Sequence, residues 1–139
     1  MKWFLTLLLI IVLLTVGLMV VVRMAPTEGA VWHQMPAAIT NRDTTSGAMR
    51  ITGAGDDGLA RLDAIIRQTA RTRQLAGTVE EGMITYVTRS ALFGFPDYTT
   101  IRQAGPQIEI YGRLRFGYSD MGVNAARIDR WLELFRKGG

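Results

Sequence analysis

Residues 3 to 22 read WFLTLLLIIVLLTVGLMVVV, with no charged side chain and only Thr6 and Thr15 polar. A helix of about twenty residues, rising about 1.5 Å per residue, spans the roughly 30 Å hydrocarbon core of a bilayer. A soluble surface helix needs a polar face, and this run has none. A cleavable signal peptide has a shorter apolar stretch followed by a small-x-small site. Here the run ends at Arg23 and passes into MAPTEG, which offers no such site. Residues 1–23 are therefore expected to be a retained transmembrane anchor. Lys2 and the amino terminus favour a cytoplasmic N-terminus, against a weaker counter-bias from Arg23. A short tail before the anchor and a long chain after it place residues 24–139 outside the cytoplasm.

The remaining length suits one small domain. The formal net charge of the chain is +4. Setting aside Lys2 and Arg23 leaves 14 basic against 12 acidic residues, without a block of like charge. A nucleic-acid footprint needs a clustered basic stripe, so no nucleic acid is expected as a partner. The chain has no cysteine, which removes disulfide and thiol chemistry.

Residues 24–46 contain two prolines and no sustained period, and read as a linker that lies down on the domain at VWHQMP, where Trp32 calls for burial. Residues 47–139 read as the domain. AMRITG is a short strand candidate. GDDGLARLDAIIRQTARTR starts a helix with Asp56 or Asp57 at its N-cap and Leu59, Leu62, Ile65, Ile66 and Thr69 on one face. LAGTVEE, GMITYVTRS, FGFPDYTTIRQ and IEIYGRLRF are strand candidates. Sequential strands with short turns give an antiparallel sheet, which two helices must cover. The expected fold is thus α+β: a transmembrane helix, then a two-layer domain.

The stretch RFGYSDMGVNAARIDRW carries the densest pattern. Ile128, Trp131, Leu132 and Phe135 form an apolar helical stripe, closed by Gly138 and Gly139. Counting back makes Asn124 the N-cap, with Val123 and Ile128 as a hydrophobic staple and Arg127 at the third helical position. Gly117, Ser119, Asp120 and Gly122 then form the strand-to-helix turn. Asp120 is expected to bond backbone amides or to pair with Arg127, Arg113 or Arg115.

SALFGFPDY followed by YGRLRFGYSDMGVNAARIDRW resembles the family known as domain of unknown function 1499. The shared positions are Ser90, Phe93, Gly94, Phe95 and Asp97, then Arg115, Gly117, Ser119, Asp120, Gly122, Val123, Asn124, Arg127 and Ile128. VWHQMP resembles the Trp-His element of membrane-anchored bacterial members. Tyr98 stands where many members carry a second acidic residue, and Leu114 where a serine is common. The resemblance implies a membrane or envelope setting; for a Gram-negative bacterium the anchor arrangement then gives a single-pass inner-membrane protein with its domain on the periplasmic face. It implies no established activity.

The catalytic inventory is thin. His33 is the only histidine, so a multi-histidine metal site is excluded and no metal is expected. Ser90 or Ser119 with His33 and Asp97 or Asp120 has the side chains of a hydrolase but no nucleophile elbow around either serine. TGAGDDG lacks the spacing and lysine of a phosphate loop, and no cofactor is expected. Phe93, Phe95, Trp131 and Phe135 read as core. The favoured function is a non-catalytic accessory or binding module, with the bilayer and another membrane protein or complex as partners. Two alternatives stand beside it. One is a small hydrolase using Asp97, Asp120 and His33. The other is an anionic-lipid surface binder using Arg113, Arg115 and Arg127.

Overall fold

The computed structural model describes residues 1–138. Gly139, expected with Gly138 to close the last helix, lies outside them. Helix α1 (Lys2–Met24) is long and apolar enough to cross a membrane, with a mean hydropathy of 3.2. Helix α2 (Gly29–Trp32) is a single turn. Strands β1 (Arg42–Thr44) and β2 (Gly47–Gly53) form a hairpin, and helix α3 (Gly58–Arg67) crosses to the far edge of the sheet. Strands β3 (Thr72–Thr78), β4 (Met83–Arg89), β5 (Pro96–Ala104) and β6 (Gln107–Leu114) meander back until β6 pairs with β2. Helix α4 (Val123–Lys137) closes the chain. The result is one antiparallel six-stranded sheet in the order β1-β2-β6-β5-β4-β3, an α+β fold. β1 falls inside the stretch 24–46. Its three residues are all exposed, so no alternation announces it.

The two longer domain helices cover one sheet face. Leu59, Leu62 and Ile66 of α3 and Ile128, Trp131 and Phe135 of α4 meet Ile84, Tyr86, Ile101, Ile108 and Ile110 of the sheet. Each fully buried side chain of this size contributes about 1.5–3 kcal/mol of transfer free energy. Trp131 and Phe135 are core as expected. Phe93 and Phe95 are not in this cluster: they are half-buried and tilt against each other, and Phe95 reaches Phe116. Thr69 lies beyond the end of α3, where its hydroxyl accepts the Trp131 indole N–H at 2.8 Å. Tyr86 donates to Asp63 at 2.6 Å. Burial and that bond push the Tyr86 pKa well up, so the hydroxyl stays a donor. Arg50 ties β2 to α4 through Asp129 and to β1 through Asp43, both at 2.8 Å.

Part of the opposite sheet face is covered by the chain that follows α1. Trp32 lies flat on Tyr98, with ring centroids 4.0 Å apart and planes 7° off parallel. His33 packs over Gly77, where an added Cβ would come within 2.5 Å of the imidazole. Residues 24–36 thus act as a strap across β3, β4, β5 and β6. Both faces of β4 and β5 are consequently buried, including Thr85, Thr99 and Thr100.

Helix α4 crosses β6 closely at Gly112. A Cβ there would meet Ile128 Cδ1 at 2.8 Å and Asn124 Oδ1 at 3.1 Å. Gly112→Ala should therefore lower stability by about 1–3 kcal/mol through overpacking. Thermal unfolding of the full chain in mild detergent measures this; an unchanged midpoint would show that α4 has room to move.

Candidate functional site

The residues singled out in the sequence fall into two polar networks, one on each face of the sheet. On the helix face the turn after β6 is pinned first by the backbone: Leu114 N–H bonds Ser46 O and Asp120 N–H bonds Thr45 O. Gly117, Met121 and Gly122 all take left-handed angles, at φ 102°, 51° and 79°. Glycine adopts these freely, whereas for Met121 the conformation is strained and must be held by its neighbours. Asp120 holds them. Its Oδ1 accepts the Gly122 amide at 3.0 Å, and its Oδ2 accepts the Asn124 amide at 3.0 Å and the Asn124 side-chain amide at 2.9 Å.

This corrects the expected cap. The residue at the N-cap position is Gly122, and Asp120 supplies the carboxylate that bonds the first free amides of α4. Asn124 lies inside the helix, fully buried. Arg127 consequently sits deeper in α4 than the third position. Val123 is half-exposed rather than clamped under a staple. Asp and Asn are both good cap residues, so an apolar stripe alone leaves the register open.

From Asn124 the network runs on. Arg127 donates to Asn124 Oδ1 at 3.0 Å and to Asp97 Oδ2 at 3.1 Å. Burial raises the Asp97 pKa above its ordinary value, Arg127 opposes the rise, and nearby Asp120 adds to it. Asp97, Arg127, Asn124 and Asp120 therefore form one connected chain from β5 to the start of α4. All four belong to the patterned motifs. Their hydrogen bonds hold one another and the backbone.

On the strap face, His33 Nδ1 lies 2.9 Å from Thr85 Oγ1, and Thr85 lies 2.8 Å from Thr100 Oγ1. Arg113 donates to Thr100 Oγ1 at 2.9 Å, to Tyr111 O at 3.2 Å and to the Trp32 carbonyl. Its guanidinium also lies over the Tyr111 ring at 4.6 Å and the Trp32 ring at 5.8 Å. Arg115 donates to Tyr98 Oη at 3.1 Å and to the Pro26 carbonyl. Thr85 and Thr100 were not singled out in the sequence, and Tyr98 was noted only as a departure from the family pattern. Their only signal is an alternation rich in threonine, which marks a strand and not its partners.

The sheet itself separates the expected sets. Asp97 faces the helices with the odd-numbered residues of β5, while Tyr98 and Thr100 face the strap. His33 is therefore not brought to Asp97 or Asp120. Ser90 Oγ accepts the Phe95 amide at 3.0 Å and Ser119 Oγ the Met121 amide at 3.1 Å, so both serines brace turns. Arg113 and Arg115 serve the strap and Arg127 the helix face, so the three do not share a surface. Among the described residues, no three histidine, aspartate, glutamate or cysteine side chains are grouped to hold a metal ion.

Asn124→Asp distinguishes a cap from an interior partner. At a cap, aspartate is tolerated. Buried against Asp120, it sets two carboxylates side by side and should cost about 2–4 kcal/mol at neutral pH. Thermal melts at neutral pH and in the carboxylate range should show the loss shrinking as the pH falls. A variant as stable as the parent at neutral pH would contradict the network.

Searches of curated proteins and of solved structures find no match. A family match runs over residues 24–135, which takes in the strap, the whole sheet and nearly all of α4. The chain belongs to the family described as Protein of unknown function (DUF1499).

Proposed function

We propose that this protein is a non-catalytic accessory module, retained by α1 in a bacterial inner membrane with its domain on the periplasmic face. The observation that carries the reading is how the polar side chains are used. Asp97, Asp120, Asn124 and Arg127 bond one another on the helix face, and His33, Thr85, Thr100 and Arg113 do so on the strap face. A hydrolase using Asp97, Asp120 and His33 would need groups that the sheet keeps apart. An anionic-lipid binding surface built on Arg113, Arg115 and Arg127 would need cations that are already bonded on different faces.

A module that acts by contact needs a firm surface instead. The turn that Asp120 braces presents Phe116, Tyr118, Met121 and Val123 to solvent, with Tyr118 87% and Met121 89% exposed. Aromatic and methionine side chains are enriched where proteins meet. Confinement to a membrane raises the effective concentration of a second membrane protein, so modest contacts suffice. The partner class is therefore another integral membrane protein or complex.

Two measurements test this. A periplasm-active phosphatase fused after the C-terminus should be active, and a cytoplasm-only reporter dark; the reverse pattern removes the periplasmic placement. In a strain lacking the protein, folded His33→Ala and Asp97→Asn variants should complement fully. Tyr118→Ala with Met121→Ala should complement at less than about a tenth of the parent's level, the scale of losing one interface hot spot. A dead but folded His33→Ala variant beside a fully active Tyr118/Met121 variant would make the protein an enzyme.

A further inference from the structure

Arg50, Arg67, Arg102, Arg127 and Lys137 each form an ion pair. A group of four other arginines is gathered around one cavity without a carboxylate among the described residues. The end of α1, the turn before β3, the start of β3 and the end of β4 line a cavity of about 390 Å³. Arg23, Arg71, Arg73 and Arg89 line it together with Ser90 and Gly94. Among the described residues, none of these four arginines has a carboxylate within ion-pairing distance.

The four are held in place by neutral acceptors. Arg23 donates to the Leu92 carbonyl at 3.2 Å and Arg71 to the Arg89 carbonyl at 3.1 Å. Arg73 donates to the Thr27 hydroxyl at 2.9 Å. Arg89 donates to the Gly94 carbonyl at 2.9 Å and to the Val22 carbonyl of α1 at 3.4 Å. Each guanidinium carries five N–H donors, so most remain open. The backbone is shaped around the group: Arg71 takes φ 57°, and at Gly94, with φ 76°, a Cβ would come within 2.9 Å of Arg23 Cγ. Four like charges converging without a counter-ion repel one another, and a bound anion relieves that repulsion. The planar fork of arginine matches phosphate oxygens in pairs.

The location narrows the anion. Arg23 is the first charge after the uncharged run of residues 3 to 22, which puts the cavity at headgroup level where α1 leaves the bilayer. Leu92, whose carbonyl holds Arg23, is 67% exposed beside it. An apolar side chain next to a basic cavity fits a ligand with a charged head and an apolar body. We infer that the cavity holds the phosphate of an anionic membrane lipid, drawn from the leaflet in which α1 ends. This rests on α1 being retained.

The test uses the full chain in a neutral mild detergent. Intact mass first establishes whether residues 1–23 are present. Short-chain phosphatidylglycerol, short-chain phosphatidylcholine and inorganic phosphate are then titrated separately, with the unfolding temperature as readout. Phosphatidylglycerol should act at a concentration at least tenfold below phosphatidylcholine, since each arginine near an anionic headgroup is worth about fivefold. Arg71→Gln with Arg73→Gln should lose that preference. Arg71→Lys with Arg73→Lys should keep most of it, and Arg42→Gln with Arg136→Gln all of it. If the double glutamine variant does not fold, Arg73→Gln alone should lose about fivefold. With the anchor present, equal action of the two lipids overturns the inference. Inorganic phosphate acting as strongly as phosphatidylglycerol overturns the lipid source. A mass lacking residues 1–23 overturns the retained anchor, and the lipid assignment with it.

Discussion

The charge of Arg113 lies under the strap, 8% exposed, with no carboxylate beside it. Burial lowers its pKa to about 10, which still leaves it charged at neutral pH. Carbonyls, a threonine hydroxyl and two aromatic faces stand in for water around it. One of those carbonyls and one of those faces belong to Trp32. The strap therefore needs Arg113 to hold it, and Arg113 needs the strap to replace lost solvent, because a buried charge with its partners removed is costly. A sheet has two faces to cover, and α3 and α4 cover only one. The mutual dependence of Arg113 and Trp32 is what lets so short a segment cover part of the other.

Neighbouring contacts fix the domain to α1. Val22, the only buried residue of α1, rests against the domain, and Arg89 reaches its carbonyl near the negative end of the helix dipole. Arg115 holds Pro26 and Arg73 holds Thr27 along the strap. The domain is thus joined to α1 by bonded chain rather than by a free tether. On the helix face the Asp120 network does a parallel job, fixing a strained turn so that its apolar side chains project. At the end of the domain next to α1, four arginines gather around one cavity without carboxylate partners among the described residues.

Much of this was legible along the chain. An uncharged run of twenty residues gives a long apolar helix, a stripe at Ile128, Trp131, Leu132 and Phe135 has one helical face, and the alternation around Ile84 and Tyr86 gives both sheet faces. Each of these signals is local. What was illegible is what only folding brings together. Asp120 and Asn124 are equally plausible caps by type, and nothing local marks Met121 as left-handed. Thr85, Thr100 and Arg113 become one network only when β4, β5 and β6 align. Arg23, Arg71, Arg73 and Arg89 are scattered over almost half the chain and read singly as solvated charges. β1 carries no pattern because both of its faces are wet.

The most direct measurement is the distance between anchor and domain. The chain has no cysteine, so Val20→Cys with Glu80→Cys gives a single, cleanly spin-labelled pair. Pulsed electron resonance in lipid nanodiscs should return one narrow distance distribution, and the same pair in a Trp32→Ala background a broad one. A broad distribution in the parent chain would mean that residues 24–36 are a loose tether, and the account of Arg113 and the strap would fall.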